Sequence, residues 1–375
     1  MENINLNQVN FQNNFYKNEK NIFNKKIIII LNIIIIILII IIIQLNFKLK
    51  KIIKSYENIQ KEQFVLKKEI ENYKNNENKD LFYKEMLKLY IENRTEFYIR
   101  GRQKIMKLKM KNYNDSNINT IQDKLNWLII HESPELKTNI VDKILLHEYS
   151  KKILGKDICV PILKIYNNTE ELDLNELPDK FVLKYNHGSG MNILCNNKSN
   201  FNITKAKIML NEWKNINYGI EKFEYQYLNV KKNFFAEKFL CDDIKDYKIY
   251  CFNGEPKFIR VQKYLPDKSG KINNYYNLDW TLNDIETNLT SYYRRPEIKF
   301  EKPKNLNLML EYSKKLSQEF AFVRVDLYEI EEIVYLGELT FTPSNVGANH
   351  KDRNQSLWLG SLLDITRIQN LSFSK

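Results

Sequence analysis

The sequence AFVRVDLYEIEEIVYLGELTFTP, residues 321–343, has the pattern of two β-strands joined by an acidic turn at residues 328–332. Side chains two residues apart on a strand point the same way, so Arg324 and Asp326 share one face of the first strand. Glu338 stands among apolar residues in the second strand. We predict an antiparallel hairpin in which Asp326 and Glu338 face each other across the pair, with Arg324 beside them.

The facing carboxylates of this hairpin predict a metal site. Two adjacent carboxylates repel each other unless a cation lies between them. Oxygen ligands of this kind suit Mg²⁺ that is held jointly by the protein and by a nucleotide phosphate. The alternative is an edge hairpin with solvated charges, and the residues upstream decide between the two.

Charge is distributed unevenly along the 375-residue chain, which is long enough for one large or two ordinary domains. The net charge is +12, yet residues 1–111 hold 22 Lys and Arg against 11 Asp and Glu, which leaves 36 against 35 for residues 112–375. A basic N-terminal third suits a segment near anionic lipid headgroups. The near-neutral remainder argues against nucleic-acid binding.

The N-terminal third divides into three predicted segments. Residues 1–26 are polar, rich in Asn and predicted to be a disordered tail. Residues 27–45 are almost entirely Ile and Leu, long enough for a single transmembrane anchor, with no small-residue cleavage site after them. Residues 46–111 are predicted to form a helical stalk. Within it, residues 52–73 carry about three heptads that predict either a dimeric coiled coil or a single amphipathic helix.

A glycine-containing loop follows a predicted strand at residues 178–185. The strand ends near Lys184, and the loop continues as His187, Gly188, Ser189 and Gly190. Glycines allow backbone N–H groups to approach phosphate oxygens, and a lysine at the end of the strand supplies the matching charge. A plain hairpin turn explains the loop equally well. His187 is either a phosphate or substrate contact or a structural residue of the turn.

Two further predicted elements follow the loop. Residues 234–240, FFAEKFL, form a strand that carries Glu237 and Lys238 near its end, before the polar residues Asp242 and Asp243. Residues 246–259, DYKIYCFNGEPKFI, form a hairpin with an Asn-Gly turn. The four cysteines have no metal-ligand spacing and are predicted to be free buried thiols.

In this order, LPDKFVLKYNHGSG, AEKFL, DYKIYCFNGEPKFI, FVRVDLY and GELTFTP resemble the TupA-like ATP-grasp family of cell-surface polysaccharide assembly, with VDKILLHEYSKKILG marking the entry into the fold. The resemblance implies an α+β fold with two lobes over residues 112–370, with ATP between the lobes. It implies that Lys184 contacts phosphate and that the 187–192 loop covers it. It further implies that the segment with Glu237, Lys238 and Leu240 binds adenine and that Asp242 or Asp243 binds the ribose. Asp326 and Glu338 are implied to bind Mg²⁺. Lys248 is implied to contact phosphate or substrate, and Arg324 to stabilise an acyl phosphate.

Three residues depart from the pattern of that family. His147 stands where the entry motif usually has Arg, Met191 where the loop usually has Gly, and Ser344 where Gly commonly follows the proline. Thr340 stands where ATP-grasp enzymes outside this family have a metal-binding Asn, although Thr is usual within it. The predicted Mg²⁺ ligands are intact.

The expected function is ATP-dependent joining of a carboxylate on a glycan, or on its lipid-linked precursor, to an amine such as that of an amino acid. Two alternatives stay open: a glycosyltransferase of the same pathway, and a non-catalytic membrane scaffold that binds nucleotide. Lysines on both sides of residues 27–45 leave the orientation of the anchor undecided. The supply of ATP and the unpaired cysteines favour a catalytic domain on the cytosolic side.

Overall fold

The computed structural model describes residues 44–45, 48–50, 52–53, 80–106, 118–132, 134–265, 270–286, 292–346 and 352–366. The chain divides into two compact units, Met1–Phe82 and Tyr83–Lys375. The predicted tail and nearly all of the predicted anchor and heptad segment lie outside the described residues. Within the described ranges, the helices are too short or too polar to cross a bilayer.

The second unit combines helices with two antiparallel sheets. Its helices are α1 (Arg94–Met106), α2 (Ile121–His131), α3 (Glu135–Val141), α4 (Leu146–Leu154), α5 (Ile203–Lys214), α6 (Tyr218–Lys222), α7 (Leu306–Ser317) and α8 (Arg353–Ser361). Its strands are β1 (Ile162–Tyr166), β2 (Phe181–Tyr185), β3 (Asn192–Cys195), β4 (Phe234–Lys238), β5 (Asp246–Phe252), β6 (Glu255–Tyr264), β7 (Lys271–Tyr276), β8 (Leu282–Asn283), β9 (Tyr292–Arg294), β10 (Phe322–Ile330) and β11 (Ile333–Thr340). The expected α+β class is therefore found.

The smaller sheet has the strand order β1-β4-β2-β3, with every pair antiparallel. Alternate residues of β2 and β4, among them Leu183 and Ala236, pack with Leu210 of α5 in one apolar cluster. Because side chains alternate along a strand, Lys184 and Glu237 lie on the opposite face. The period of the two strands thus directs their charged residues away from the apolar core.

The larger sheet has the order β11-β10-β5-β6-β7-β8, and β9 pairs in parallel with β7. On one face, Ile249, Val323 and Val325 belong to the main apolar cluster, together with Met309 and Leu316 of α7. On the other face, the alternation of β5 and β10 places Lys248, Arg324 and Asp326. One side of the sheet therefore packs against the main apolar cluster, and the other, called here the polar face, carries the charged residues beside a group of aromatic side chains.

Two tight turns fix the register of this sheet. Asn253 and Gly254 both have positive φ, of 51° and 82°, and connect β5 to β6 as the predicted two-residue turn. The acidic turn of the 321–343 hairpin was predicted to span five residues, and this length is wrong. The ladder continues to the pair Ile330 and Ile333, which leaves only Glu331 and Glu332 in the turn.

A bulge between Asp326 and Leu327 adds Gly337 to β11, so that Asp326 pairs with Glu338 and Leu327 with Leu336. A Cβ atom at Gly337 would lie 2.7 Å from the Tyr328 ring, which explains why glycine occupies the bulge. The predicted facing of Asp326 and Glu338 is confirmed by this register.

Candidate active site

Asp326 is the centre of a buried charged cluster on the polar face of the larger sheet. Arg324 donates to both of its carboxylate oxygens, from Nε to Oδ1 at 2.6 Å and from Nη2 to Oδ2 at 2.6 Å. From the neighbouring strand β5, Lys248 Nζ donates to Oδ2 at 2.6 Å and also lies 2.9 Å from Asp246 Oδ2. The predicted reaction-centre residues Arg324 and Lys248 are thus brought together by one carboxylate.

Burial opposes ionisation of every member of this cluster, yet the charges stabilise one another. Arg324 and Lys248 hold the pKa of Asp326 well below its usual range despite its burial. Against the same effect of burial, Asp246 and then Asp326 raise the pKa of Lys248. Arg324, Lys248 and Asp326 are therefore held in their charged forms by one another.

Glu338 lies at the more open side of the cluster. Its Oε1 accepts hydrogen bonds from Arg324 Nη2 at 3.3 Å and from Thr340 Oγ1 at 3.0 Å. Arg324 also donates to Thr340 Oγ1 at 3.0 Å. The Glu338 side chain is 29% exposed, whereas that of Asp326 is 1% exposed. Of the two predicted metal ligands, Glu338 is the one that faces open space.

On the smaller sheet, the predicted phosphate contact Lys184 forms an ion pair with Glu237 of the adjacent strand. The Lys184 side chain is 20% exposed and that of Glu237 is 12% exposed. Both lie on the face opposite the α5 core, so the pair points away from the apolar cluster. A buried ammonium that can exchange a carboxylate for a phosphate oxygen is suited to nucleotide binding.

Lys143 connects the two sheets, and sequence reasoning missed it. Its Nζ donates to the backbone oxygen of Gly188 at 2.5 Å. Burial lowers the pKa of Lys143, nearby Glu338 raises it, and Lys184 lowers it. Lys143 is therefore within electrostatic reach of the larger sheet through Glu338 and of the smaller sheet through Lys184. Its position between α3 and α4 gives no local signal in a lysine-rich sequence.

Neighbouring side chains pack against the predicted phosphate loop. Gly188 packs on the Tyr218 ring, since a Cβ atom there would lie 2.8 Å from the ring, and Gly190 has a φ of 78°. Ser189 is exposed and hydrogen-bonds to the Tyr218 hydroxyl. Met191 is buried in the apolar cluster of the smaller sheet. The methionine therefore packs in the core, Gly188 allows the close approach of Tyr218, and the exposed backbone of the loop lies at Ser189 and Gly190.

His187 is buried and its ring lies against Tyr185 at 4.9 Å between centroids. Burial lowers the pKa of His187 to about 4, so its imidazole is neutral at physiological pH. Of the two interpretations left open by the sequence, this setting favours the structural residue of the turn.

The residues expected near adenine and ribose lie at the edge of the smaller sheet. Lys238 is exposed and Leu240 is half-buried. Asp243 pairs with Lys263 at 2.7 Å and Asp242 lies 3.7 Å from Lys180, with all four side chains solvent-accessible. These carboxylates are accessible to a ligand but are not part of the buried cluster. Cys241 beside them is half-buried, which corrects the expectation of four buried thiols, and all four cysteines are free.

A second buried carboxylate, Glu224, was also missed by sequence reasoning. It accepts a hydrogen bond from the Thr342 hydroxyl, and Gln226 Nε2 donates to it at 3.3 Å. Tyr218, which supports Gly188, is hydrogen-bonded to Glu224 as well. Burial raises the pKa of Glu224 to about 7. This carboxylate links the loop after β2 to the residues that follow β11.

The donor set fits a magnesium nucleotide. Asp326, Glu338 and the Thr340 hydroxyl supply hard oxygen atoms on one face of the sheet, as Mg²⁺ prefers. Lys143 at the loop after β2 and Lys184 on the smaller sheet supply cations for phosphate oxygens. Asp326 and Glu338 are thus the residues that would hold Mg²⁺, which would neutralise negative charge on the phosphates when bound.

Several solved structures are distantly similar to this chain. Three similar solved structures are D-alanine–D-alanine ligase from Bacillus anthracis complexed with ATP (15% identity, TM-score 0.32, 60% of this chain and 63% of that chain), the same ligase from Helicobacter pylori (20%, 0.31, 60% and 61%) and D-alanyl-alanine synthetase A from Vibrio cholerae O1 biovar eltor str. N16961 (12%, 0.36, 59% and 62%). The chain thus spans less than two thirds of the length of these proteins. The search of curated proteins finds no match.

The family comparison carries the assignment. The model described as TupA-like ATPgrasp matches residues 123–364, which is more than half of the chain. The match includes β2, the loop after it, β4, β5 and the β10–β11 hairpin. By this match over both sheets and the charged residues between them, the chain belongs to the TupA-like ATP-grasp family.

Proposed function

We propose that the protein is an ATP-dependent ligase that joins a carboxylate to an amine through an acyl phosphate. The observation that carries this proposal is the charged cluster of Arg324, Lys248, Asp326 and Glu338 on the larger sheet. Lys143, whose Nζ donates to Gly188 in the loop after β2 at 2.5 Å, adds a cation at the predicted phosphate loop. Membership of the ATP-grasp family supports it. A magnesium nucleotide bound there would have cations and carboxylates on both sides of its phosphates.

Each group in the site has a task in this reaction. Lys143 and Lys184 bind and orient the phosphates, and Asp326 and Glu338 hold the metal ion. Arg324 lies within the same cluster and offers a fixed positive charge to the acyl phosphate as negative charge develops. Lys248 keeps Asp326 ionised and in place. Shielding by the two sheets protects the activated carboxylate from water.

We place the substrates in cell-surface polysaccharide biosynthesis, as the resemblance implies. The carboxylate would belong to a glycan or a lipid-linked glycan, and the amine to an amino acid or a related compound. The basic, Ile-rich N-terminal third supports a membrane anchor, with a possible homodimer through the heptad segment. We place the catalytic unit on the cytosolic side. Protease added to sealed vesicles should then remove a C-terminal tag from that side, and protection of the tag until detergent is added would reverse the orientation.

ADP release tests the reaction. Full-length protein in detergent is incubated with ATP and Mg²⁺ alone, with a pool of carboxylic acids, with a pool of amines, and with both pools. The ligase predicts ADP formation that rises when both pools are present. A glycosyltransferase would instead consume a sugar nucleotide without forming ADP from ATP. A scaffold would bind ATP and form no ADP.

A further inference from the structure

A small aromatic pocket lies on the polar face of the larger sheet, beside the charged cluster. It has a volume of about 60 Å³, several times the roughly 10–15 Å³ that holds one water molecule. Its floor is formed by rings of β5, β6, β7 and β10, including Tyr250, Phe258 and Phe322. Leu125 of α2 and Leu359 of α8 form its walls. The pocket is therefore mainly apolar, as small-molecule sites usually are.

The pocket continues directly from the candidate active site. Tyr250 in its floor pairs with Arg324, and Arg260 in its lining pairs with Lys248. Directly paired residues point to the same face of a sheet. The turn at residues 343–346, which follows the strand of Glu338, lines the pocket as well. A compound bound here would lie on the same surface as the predicted metal ligands.

Arg260 is the one cationic side chain among the residues that line this pocket. It is 4% exposed, and its guanidinium lies 5.9 Å from the centre of the Tyr250 ring. Burial opposes its charge, yet Tyr250 and Tyr275 raise its pKa, so it stays protonated. A planar guanidinium with fixed donors matches the two oxygens of a carboxylate. The pocket thus combines apolar walls with a built anion partner.

The position of Arg260 separates this pocket from the reacting carboxylate. Arg260 is on β6 and Glu338 is on β11, three strand spacings apart, so their backbones are roughly 14 Å apart at about 4.8 Å per spacing. Because three strand spacings separate Arg260 from Glu338, we infer that a carboxylate held by Arg260 is a different group from the one that ATP activates. It would act as an anchor that positions another part of the same compound.

We propose that this pocket binds an anchoring carboxylate of a substrate, with Arg260 as its charge partner and the aromatic rings against the adjoining apolar carbons. The substrate class is then a compound that carries a carboxylate several bonds away from the group that reacts. Its assignment as a substrate subsite rests on the proposed ligase function. The binding of a small carboxylate does not, and it can be measured without ATP.

Saturation-transfer NMR with full-length protein in detergent provides the test. The probes are propionate and its neutral amide, propionamide. We expect propionate to bind with a millimolar Kd and propionamide to bind at least tenfold more weakly. Arg260→Gln should weaken propionate binding at least tenfold and leave the Kd of a non-hydrolysable ATP analogue within twofold. Arg295→Gln is the matched control, because Arg295 is exposed and pairs with Glu297 at 3.4 Å.

The comparison of the two probes on the unaltered protein does not depend on whether any variant folds. Equal binding of propionate and propionamide, no propionate binding up to 100-fold above the expected Kd, or an equal loss in Arg260→Gln and Arg295→Gln would each overturn the proposal. Absence of ADP formation together with Arg260-dependent propionate binding would reject the ligase and keep the carboxylate site. Ligase activity with no preference for propionate over propionamide would reject the carboxylate site and keep the ligase.

Discussion

Asp326→Asn and Glu338→Gln each remove one of the two carboxylates that the sequence predicts as Mg²⁺ ligands. The structure predicts that the two changes lower the free energy of unfolding by different amounts. Asp326 is 1% exposed and accepts charge-assisted hydrogen bonds from both Arg324 and Lys248. Removing one partner of a buried ion pair costs about 3–5 kcal/mol. Lys248 keeps Asp246 at 2.9 Å, and Arg324 keeps Glu338 at 3.3 Å. We therefore expect a loss of about 3 kcal/mol in the free energy of unfolding, at the low end of that range.

Glu338→Gln should be far milder. The Glu338 side chain is 29% exposed and its contact with Arg324 is long, at 3.3 Å. A glutamine keeps an oxygen that can accept from Thr340. Partly solvated ion pairs contribute about 0–1 kcal/mol, so we expect a loss of no more than about 1 kcal/mol. Turnover should fall at least about 100-fold in both variants, because each would remove a proposed ligand of the Mg²⁺ that would stabilise the transition state.

Urea unfolding followed by circular dichroism measures the free energy of unfolding of each variant, and ADP release measures its turnover. Glu332→Gln is the matched control, since Glu332 is an exposed turn residue paired with Lys304. Equal destabilisation by Asp326→Asn and Glu338→Gln would refute the reasoning from burial. Normal turnover in Glu338→Gln would remove Glu338 from the metal site.

Three further predictions concern single residues. Lys184→Ala should weaken ATP binding at least tenfold by titration calorimetry, because it removes a phosphate cation. Lys205→Ala, at an exposed lysine of α5, should change it less than threefold, and equal effects would mean that the loop is only a turn. Gly337→Ala should destabilise the protein by about 1–3 kcal/mol, since the new methyl would lie 2.7 Å from Tyr328, and an unchanged urea midpoint would contradict the close packing of the bulge. Burial raises the pKa of Glu224 to about 7 from an ordinary 4.5, so the native state binds this proton more tightly and loses stability as pH rises from 4.5 to 7. The stability difference between the wild type and Glu224→Gln should therefore change by about 3 kcal/mol over this range, and a constant difference would rule out the raised pKa.

The sequence predicts the parts of the site that depend on strand alternation and turn chemistry. Asn253–Gly254 forms the turn that such a pair favours, and Arg324 and Asp326 share one face because the period of two holds along β10. Asp326 faces Glu338 through the bulge at Gly337, since the ladder that begins at Ile330 and Ile333 would otherwise pair Asp326 with Gly337. Lys184 lies next to Glu237 because β2 and β4 are neighbours. The residues of either strand alone do not predict that β2 and β4 are neighbours.

The remaining features depend on long-range packing. Lys143 lies between α3 and α4, which pack in the apolar cluster of the larger sheet through Ile140, Val141 and Leu146, and its side chain reaches Gly188 in the loop after β2. Glu224 is buried by Thr342, more than a hundred residues later in the chain. Glu331 and Glu332 adopt positive φ without glycine, because the ladder on both sides continues up to them. No local sequence pattern predicts the placement of these residues.

The transfer of oxygen from a carboxylate to phosphate tests the acyl phosphate most directly. Full-length protein is incubated with ATP, Mg²⁺ and a pool of amino acids and sugar acids whose carboxyl oxygens are labelled with ¹⁸O. The carboxylate oxygen that attacks the γ-phosphate stays with phosphate when the amine displaces it. The account predicts inorganic phosphate that carries one ¹⁸O atom, detected by mass spectrometry and abolished by Glu338→Gln. Unlabelled phosphate released in step with ADP and ligated product would contradict it.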